Sequence, residues 1–387
     1  MQNTRRFGLA LATVFLLPLV AVACLWDYDT LAQERGRFPS TLELITGKFL
    51  RHSPEFYEWR IEDRLKKLEK DPNNLNYHDD LAAAYSKIGN FDKAIEVMQR
   101  KEKIQPGLYE TYSNLGTFYI LAGRFKEGLP YIDKALAINP DAHFGREKYQ
   151  KYLVEYVLAK MKDQRKLTFP LVSAEAMDKS NNLKFDAWLN SFKKTDPNSD
   201  DRHSAVKGIL GMMRFADYKN PILLEALGNL LWSERERGDG KQLATRAFLQ
   251  ASYFMKVDDQ REEYRKLAKA ALRMKQGVTL ELVESAFQKE LADAEKWYDD
   301  LRAKEIDWIK AGLNADEEFD KLYAQDPHIG GEEWEPGRQT WIQYFDTHPT
   351  VIVFGLLACL LLIIPTSLLL CKFAYRRICL RRANLPG

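Results

Sequence analysis

Six histidines, four cysteines and one acidic loop are the residues of this 387-residue chain that could carry chemistry, and their spacing argues against most of it. His52, His78, His143, His203, His328 and His348 are scattered, with no pair at i, i+4 and no His-Glu zinc signature, so a metal hydrolase lacks its ligands. Cys24, Cys359, Cys371 and Cys379 all lie in or beside the apolar ends. The long region between them therefore holds no thiol nucleophile, thiolate metal site or disulfide. A Gly-rich phosphate loop and a G-x-S-x-G elbow are both missing, which removes the minimum residues of an NTPase or a serine hydrolase. Asp196-Pro197-Asn198-Ser199-Asp200-Asp201 is superficially a calcium loop, yet it lacks the turn glycine and places Lys207 where a bidentate Glu would close the site. Adjacent carboxylates, Asp79 with Asp80 and Glu332 with Glu333, point apart on a helix. The expectation is a non-enzyme with no catalytic residue, metal or cofactor.

What the chain does carry is periodicity. Tyr85, Gly89, Phe91, Ala94 and Pro106 are answered at a spacing of about 34 residues by Tyr119, Gly123, Phe125, Gly128 and Pro140. Leu81, Ala82 and Met98 map likewise onto Leu115, Gly116 and Ile132, so small and large residues recur where two packed helices need them. One period before Pro106 lies Pro72, at the end of the helical run Phe56 to Lys70. Past Pro140, the segment from His143 to Lys162 supplies another amphipathic helix without a turn glycine. Stacked helices need such caps at both ends.

This pattern resembles the tetratricopeptide repeat, whose helix pairs carry a large residue, a small contact residue, a turn glycine, a crossing alanine and a terminal proline. The resemblance implies a groove lined by the first helix of each pair. Carried onto this chain, it is made of Asn76, Asp79, Ala83, Ser86 and Lys87 from one repeat and Glu110, Ser113, Thr117, Ile120 and Leu121 from the next. Asp79 and Ala83 stand where a basic and asparagine clamp for C-terminal carboxylates would be, so the groove suits a mixed polar and apolar protein segment. Leu227, Gly228, Leu231, Ala244, Phe248 and Ala251 echo the same positions if one helical turn is inserted around Arg237 to Lys241. An ordinary helical hairpin around Gly238-Asp239-Gly240 is the alternative.

The two longest apolar runs lie at the ends, Phe7 to Leu25 and Val351 to Leu370. At the first, Arg5 and Arg6 precede a stretch that closes in Ala21-Val22-Ala23, followed by Cys24. A cleaved export signal, lipidation of Cys24 and a retained anchor helix all fit. The second run is long enough to cross a bilayer and is followed by Lys372, Arg376, Arg377, Arg381 and Arg382, which would stay cytoplasmic. The run Cys24 to Leu31 resembles the start of exported bacterial repeat proteins of unassigned role.

The expected fold is all-α: a short tetratricopeptide array, a further helical region and a C-terminal transmembrane helix. Residues 1–25 read as the signal or N-terminal anchor and 26–53 as a juxtamembrane segment. The array spans 54–161, with clear repeats at 75–107 and 109–141. A second helical region covers 162–325, with the hairpin 221–256 inside it and a long charged helix near Glu281 to Lys310. A linker at 326–349, a span at 350–371 and a basic tail at 372–387 follow. Formal charges nearly balance at net +2, which speaks against a nucleic-acid binder. The functional expectation is a membrane-tethered, extracytoplasmic scaffold in a bacterial inner membrane that binds protein partners through its groove. An enzyme or solute-binding protein with its site in 170–325 is the alternative.

Overall fold

Local chemistry sets where each helix starts. The computed structural model describes residues 27–30, 37–140, 145–164, 167–178, 184–193, 202–233, 240–272 and 277–326, and among these there is no strand. The apolar runs, the hairpin turn at 238–240, the acidic loop and the linker, span and tail lie outside the described residues. No described helix is long and apolar enough to cross a membrane.

Helix α1 (Thr41–Thr46) opens on a capping box in which Glu43 N–H donates to Ser40 Oγ at 3.3 Å and Ser40 N–H donates to Glu43 Oε2 at 2.7 Å. Helix α2 (Pro54–Lys70) is capped by Ser53, with Pro54 in the first turn, where its missing N–H loses nothing. Helices α3 (Leu75–Lys87) and α4 (Phe91–Ile104) take Asn74 and Asn90 as caps. Helices α5 (Tyr109–Leu121), α6 (Phe125–Ile138) and α7 (Arg146–Gln164) complete the stack.

The two kinds of glycine in the repeats do opposite jobs. Gly89 and Gly123 end α3 and α5 at φ 81° and 74°, and a Cβ on either would meet nothing, so backbone conformation alone requires glycine there. Gly128 instead lets α6 lie on α5: a Cβ there would sit 2.8 Å from the Gly116 carbonyl oxygen and from Ile120. Gly116 faces Ile132 in the same crossing. The core that follows comprises Ala82, Ala83, Ala94, Ile95, Met98, Leu115, Phe118, Tyr119 and Leu121.

The second region is built from α8 (Ala174–Asp178), α9 (Phe185–Lys193), α10 (Arg202–Phe215), α11 (Pro221–Ser233), α12 (Gly240–Phe254), α13 (Asp258–Leu272), α14 (Leu280–Lys310) and α15 (Ala315–Ala324). Neighbours in sequence pack from α2 to α7 and again from α10 to α13. Between these runs α7 packs on α10. There Gly208 faces the Tyr149 ring, with 2.5 Å between a would-be Cβ and the ring. Gly228 on α11 faces Phe248 on α12 at 2.6 Å, the same relation of small residue to large as Gly116 to Ile132.

Helix α14 then runs back across α12, α1 and α2, and α15 packs on α14. Residues 37–53, read from sequence as part of a juxtamembrane segment, are core: Leu44, Ile45 and Phe49 are fully buried, and α1 packs against α10, α12 and α14. Their short apolar stretch was too brief to stand out from a connector by periodicity.

Candidate functional site

The face expected to be open is largely covered. Of the ten groove residues, Asn76 is exposed, Lys87 and Glu110 are half-buried, and the other seven are buried. Asp79 is paired with Lys101 of α4 and also accepts from Asn114 Nδ2 at 3.3 Å. Burial pushes its carboxyl up to about 7, with the Lys101 ammonium pulling the other way. Ala83 and Leu121 belong to the apolar core of the repeats, which Ala216 also joins. Ser86 is buried on the same helix. Lys87 Nζ donates to the carbonyl oxygens of Phe215 (2.7 Å) and Ala216 (3.0 Å) at the end of α10. Ser113 donates to Glu147 Oε1 at 3.3 Å, Thr117 accepts from Gln150 Nε2 at 3.2 Å, and Ile120 lies against Gly128.

The ten residues therefore do not form an open acidic and apolar groove. Helix α7 supplies Glu147 and Gln150 over α5, and the end of α10 closes over α3. A sequence reading of repeats taken alone cannot include helices that fold back from later in the chain.

At the opening end of the array sits a buried charge network that sequence reasoning missed. Asp29 Oδ2 receives His52 Nε2 (2.9 Å) and Arg60 Nη1 (2.8 Å), while His52 Nδ1 bonds Glu305 Oε1 on α14 (2.7 Å). Arg60 Nη2 reaches Asp316 Oδ1 on α15 at 2.6 Å. Arg64 joins Asp316 to Asp80 of α3, with Nε to Asp80 Oδ2 at 2.8 Å. Asp80 in turn accepts Tyr28 N–H at 2.8 Å. An imidazole with a carboxylate on each nitrogen must donate from both, so His52 is an imidazolium here. Burial alone would push its pKa down; Asp29 and Glu305 outweigh that and raise it to about 9. Burial, with Asp29 and Asp80 adding repulsion against Arg60, moves Asp27 up to about 6. The available signal was that Phe56, Arg60 and Arg64 lie at i, i+4 and i+8, which puts two arginines on the buried stripe of α2.

Within 170–325 the strongest cluster of ionisable groups surrounds Glu225 on α11. It accepts the N–H groups of Leu171 (3.0 Å or shorter, at 2.9 Å) and Val172 (3.0 Å) and the hydroxyl of Tyr264 (2.8 Å), and burial moves it up to about 7. Those donors fasten the segment 167–172 to α11 and α13, which is a structural task. Among the described residues no group of three or more His, Cys, Asp or Glu is arranged to hold a metal ion.

Comparison with known proteins agrees with the helix pairing. Residues 109–142 match the tetratricopeptide repeat model. The array contains a tetratricopeptide repeat. Part of the chain is also similar to small glutamine-rich tetratricopeptide repeat-containing protein 2 of Mycosarcoma maydis, at 34% identity over 88 residues. That is 23% of this chain, which spans about a quarter of the length of the relative it matches. The matched repeat is the pair α5 and α6, the one whose Gly116 and Gly128 allow the closest crossing. The fold is all-α, and a tetratricopeptide array points to a protein–protein interaction role.

Proposed function

We propose that this protein is a membrane-tethered, extracytoplasmic, non-enzymatic scaffold that binds a segment of a partner protein along its tetratricopeptide array. The observation that carries the reading is the repeat at 109–142 with its counterpart one period earlier. Because most first-helix residues are covered, the binding surface is the rim that stays accessible at the start of α3 and α5, around Asn76, Glu110 and the half-buried Tyr112.

Support for tethering comes from the apolar runs Phe7 to Leu25 and Val351 to Leu370 and from the basic residues after the second. It also comes from how the described body begins and ends. Tyr28 OH donates to Asp320 at 2.7 Å, and Arg37 pairs with Asp326 at 3.4 Å, so the segments leading to both runs are fastened at one pole. Two spans leaving from one pole can enter one bilayer without unfolding the body.

Crosslinking in native membranes tests the reading. The wild-type chain is expected to capture a protein partner that Asn76→Arg with Glu110→Arg loses, while the chain stays in the carbonate-washed membrane pellet. An unchanged partner set sinks the rim assignment. Release of the full chain from the pellet sinks the tether, and the mass of the mature chain separates cleaved, lipidated and retained forms of residues 1–25.

A further inference from the structure

One cation in the body has no counter-charge. Arg214, in the last turn of α10, is 7% exposed, and its Nε meets no hydrogen-bond partner. No carboxylate among the described residues lies within ion-pair distance of its guanidinium. Every other deeply buried arginine around it is differently placed: Arg60 and Arg64 sit among Asp29, Asp80 and Asp316. Arg214 lies instead over two phenyl rings, 5.5 Å from Phe215 and 5.4 Å from Phe38. The Phe215 ring carries a second guanidinium, that of Arg146 on α7, at 4.2 Å. Gly211, one turn earlier on α10, leaves space for that side chain, since a Cβ there would stand 3.1 Å from Arg146 Cδ.

Burying an uncompensated guanidinium is strongly unfavourable, and a chain that only needed bulk here could use Met or Leu. Positive charge is concentrated as well as buried. Burial brings the Arg214 pKa down to about 10, and Arg37 and Arg146 add to that repulsion, with Tyr323 and Asp326 opposing it. Asp326 is engaged elsewhere, in its pair with Arg37, which also holds Glu43.

We infer that Arg214, between Phe38 and Phe215 at the junction of α7 and α10, is a binding site for a carboxylate. The free Nε–H and its neighbouring Nη–H form the side of the fork that a planar carboxylate meets with two parallel hydrogen bonds. Flanking phenyl rings leave a slot suited to a flat, singly charged group, and a phosphate would bring a second charge for which no further free donor is present. The site lies beside the Phe215 and Ala216 carbonyl oxygens held by Lys87 of α3, so it opens where the second region meets the repeats. It stands on this geometry alone and does not depend on the scaffold or membrane reading.

The carboxylate can be that of a free small molecule or of an acidic side chain in a bound protein segment, and one experiment separates them. The full chain in detergent is titrated at constant ionic strength with propionate, with inorganic phosphate, and with blocked Gly-Glu-Gly and Gly-Gln-Gly peptides, and the thermal midpoint is followed. At ten times the dissociation constant a rise of about 3 °C is expected for the carboxylate probes. Arg214→Met and Arg214→Lys should abolish or sharply reduce it, the second variant keeping the charge if the first fails to fold. Preference for the Glu peptide over propionate assigns the site to a protein segment, and an equal response assigns it to a small carboxylate. Three outcomes overturn the proposal: no response in the wild type, an undiminished response in both variants, or a response that appears only in Asp326→Asn, which would make Asp326 the natural counter-ion. A larger response to phosphate than to either carboxylate overturns the ligand class.

Discussion

Protonation of His52 should hold the opening end of the array together, and raising the pH should loosen it over a defined window. The ring sits between Asp29 and Glu305, stacked on Phe56 at 3.6 Å and 5°, and it joins the segment 27–30, the start of α2 and α14. Its pKa rises from 6.5 to about 9 on folding. A base whose folded pKa is raised contributes its full stability below the unfolded pKa and loses it as pH climbs through the folded one. The shift corresponds to about 3 kcal/mol, most of it lost between pH 7 and 9.5. Asp27, Asp79 and Glu225 are raised to about 6, 7 and 7 and have titrated below that window. The assay is urea unfolding followed by far-ultraviolet circular dichroism at half-unit steps from pH 7 to 9.5, on the wild type and on His52→Gln. Glutamine keeps a donor but cannot titrate, so its stability should be lower at pH 7 and nearly flat across the window. Equal falls in the two proteins, or no fall in the wild type, would refute the assignment of an imidazolium to this position.

Three further outcomes follow from the packing. Lys101→Met should destabilise the chain by about 3–5 kcal/mol by leaving Asp79 buried and unpaired, and adding Asp79→Leu should recover most of it; a denaturant double-mutant cycle reads the coupling. Gly228→Val should lower stability by about 1–3 kcal/mol through its clash with Phe248, whereas Gly89→Ala, in open space but at φ 81°, should lower it by about 1–2 kcal/mol through backbone strain alone, so that trimming a neighbour with Phe248→Leu relieves only the first, as thermal melts would record. Glu225→Ala should speed amide exchange at Leu171 and Val172 by about tenfold or more, without comparable change in α5.

The helical class and the repeat were legible because they are local. Gly89, Gly123 and the small residues at Gly116 and Gly128 declare their roles within one period of sequence, and the N-caps Asn74 and Asn90 sit directly before the helices they start. The long helix near Glu281 to Lys310 was equally plain and begins at Leu280 after its Thr279 cap. The state of the groove was not legible, because what covers Ser113, Thr117 and Lys87 comes from Glu147, Gln150 and the Phe215–Ala216 backbone, the last about 130 residues away in sequence. Asp79 looked like an acidic recognition residue because its partner, Lys101, lies on the second helix of the same pair and is equally ordinary in sequence. Arg60 and Arg64 were hidden among the charges of α2, where only their helical phase with Phe56 distinguishes them.

The pairs that join Tyr28 to Asp320, His52 to Glu305 and Arg60 to Asp316 bind the first described residues to the last. An open solenoid can gain or lose a repeat at either end at the expense of one interface. This body is instead a closed circuit, and its seam cannot form until α15 has been made. During synthesis Arg60, Arg64 and His52 must wait for carboxylates roughly 250 residues downstream, with the closure entropy that such a separation implies. A chain cut before α15 would therefore leave two buried arginines and an imidazolium stranded at the far end of the array, and the damage would surface at the N-terminal helices, far in sequence from the cut.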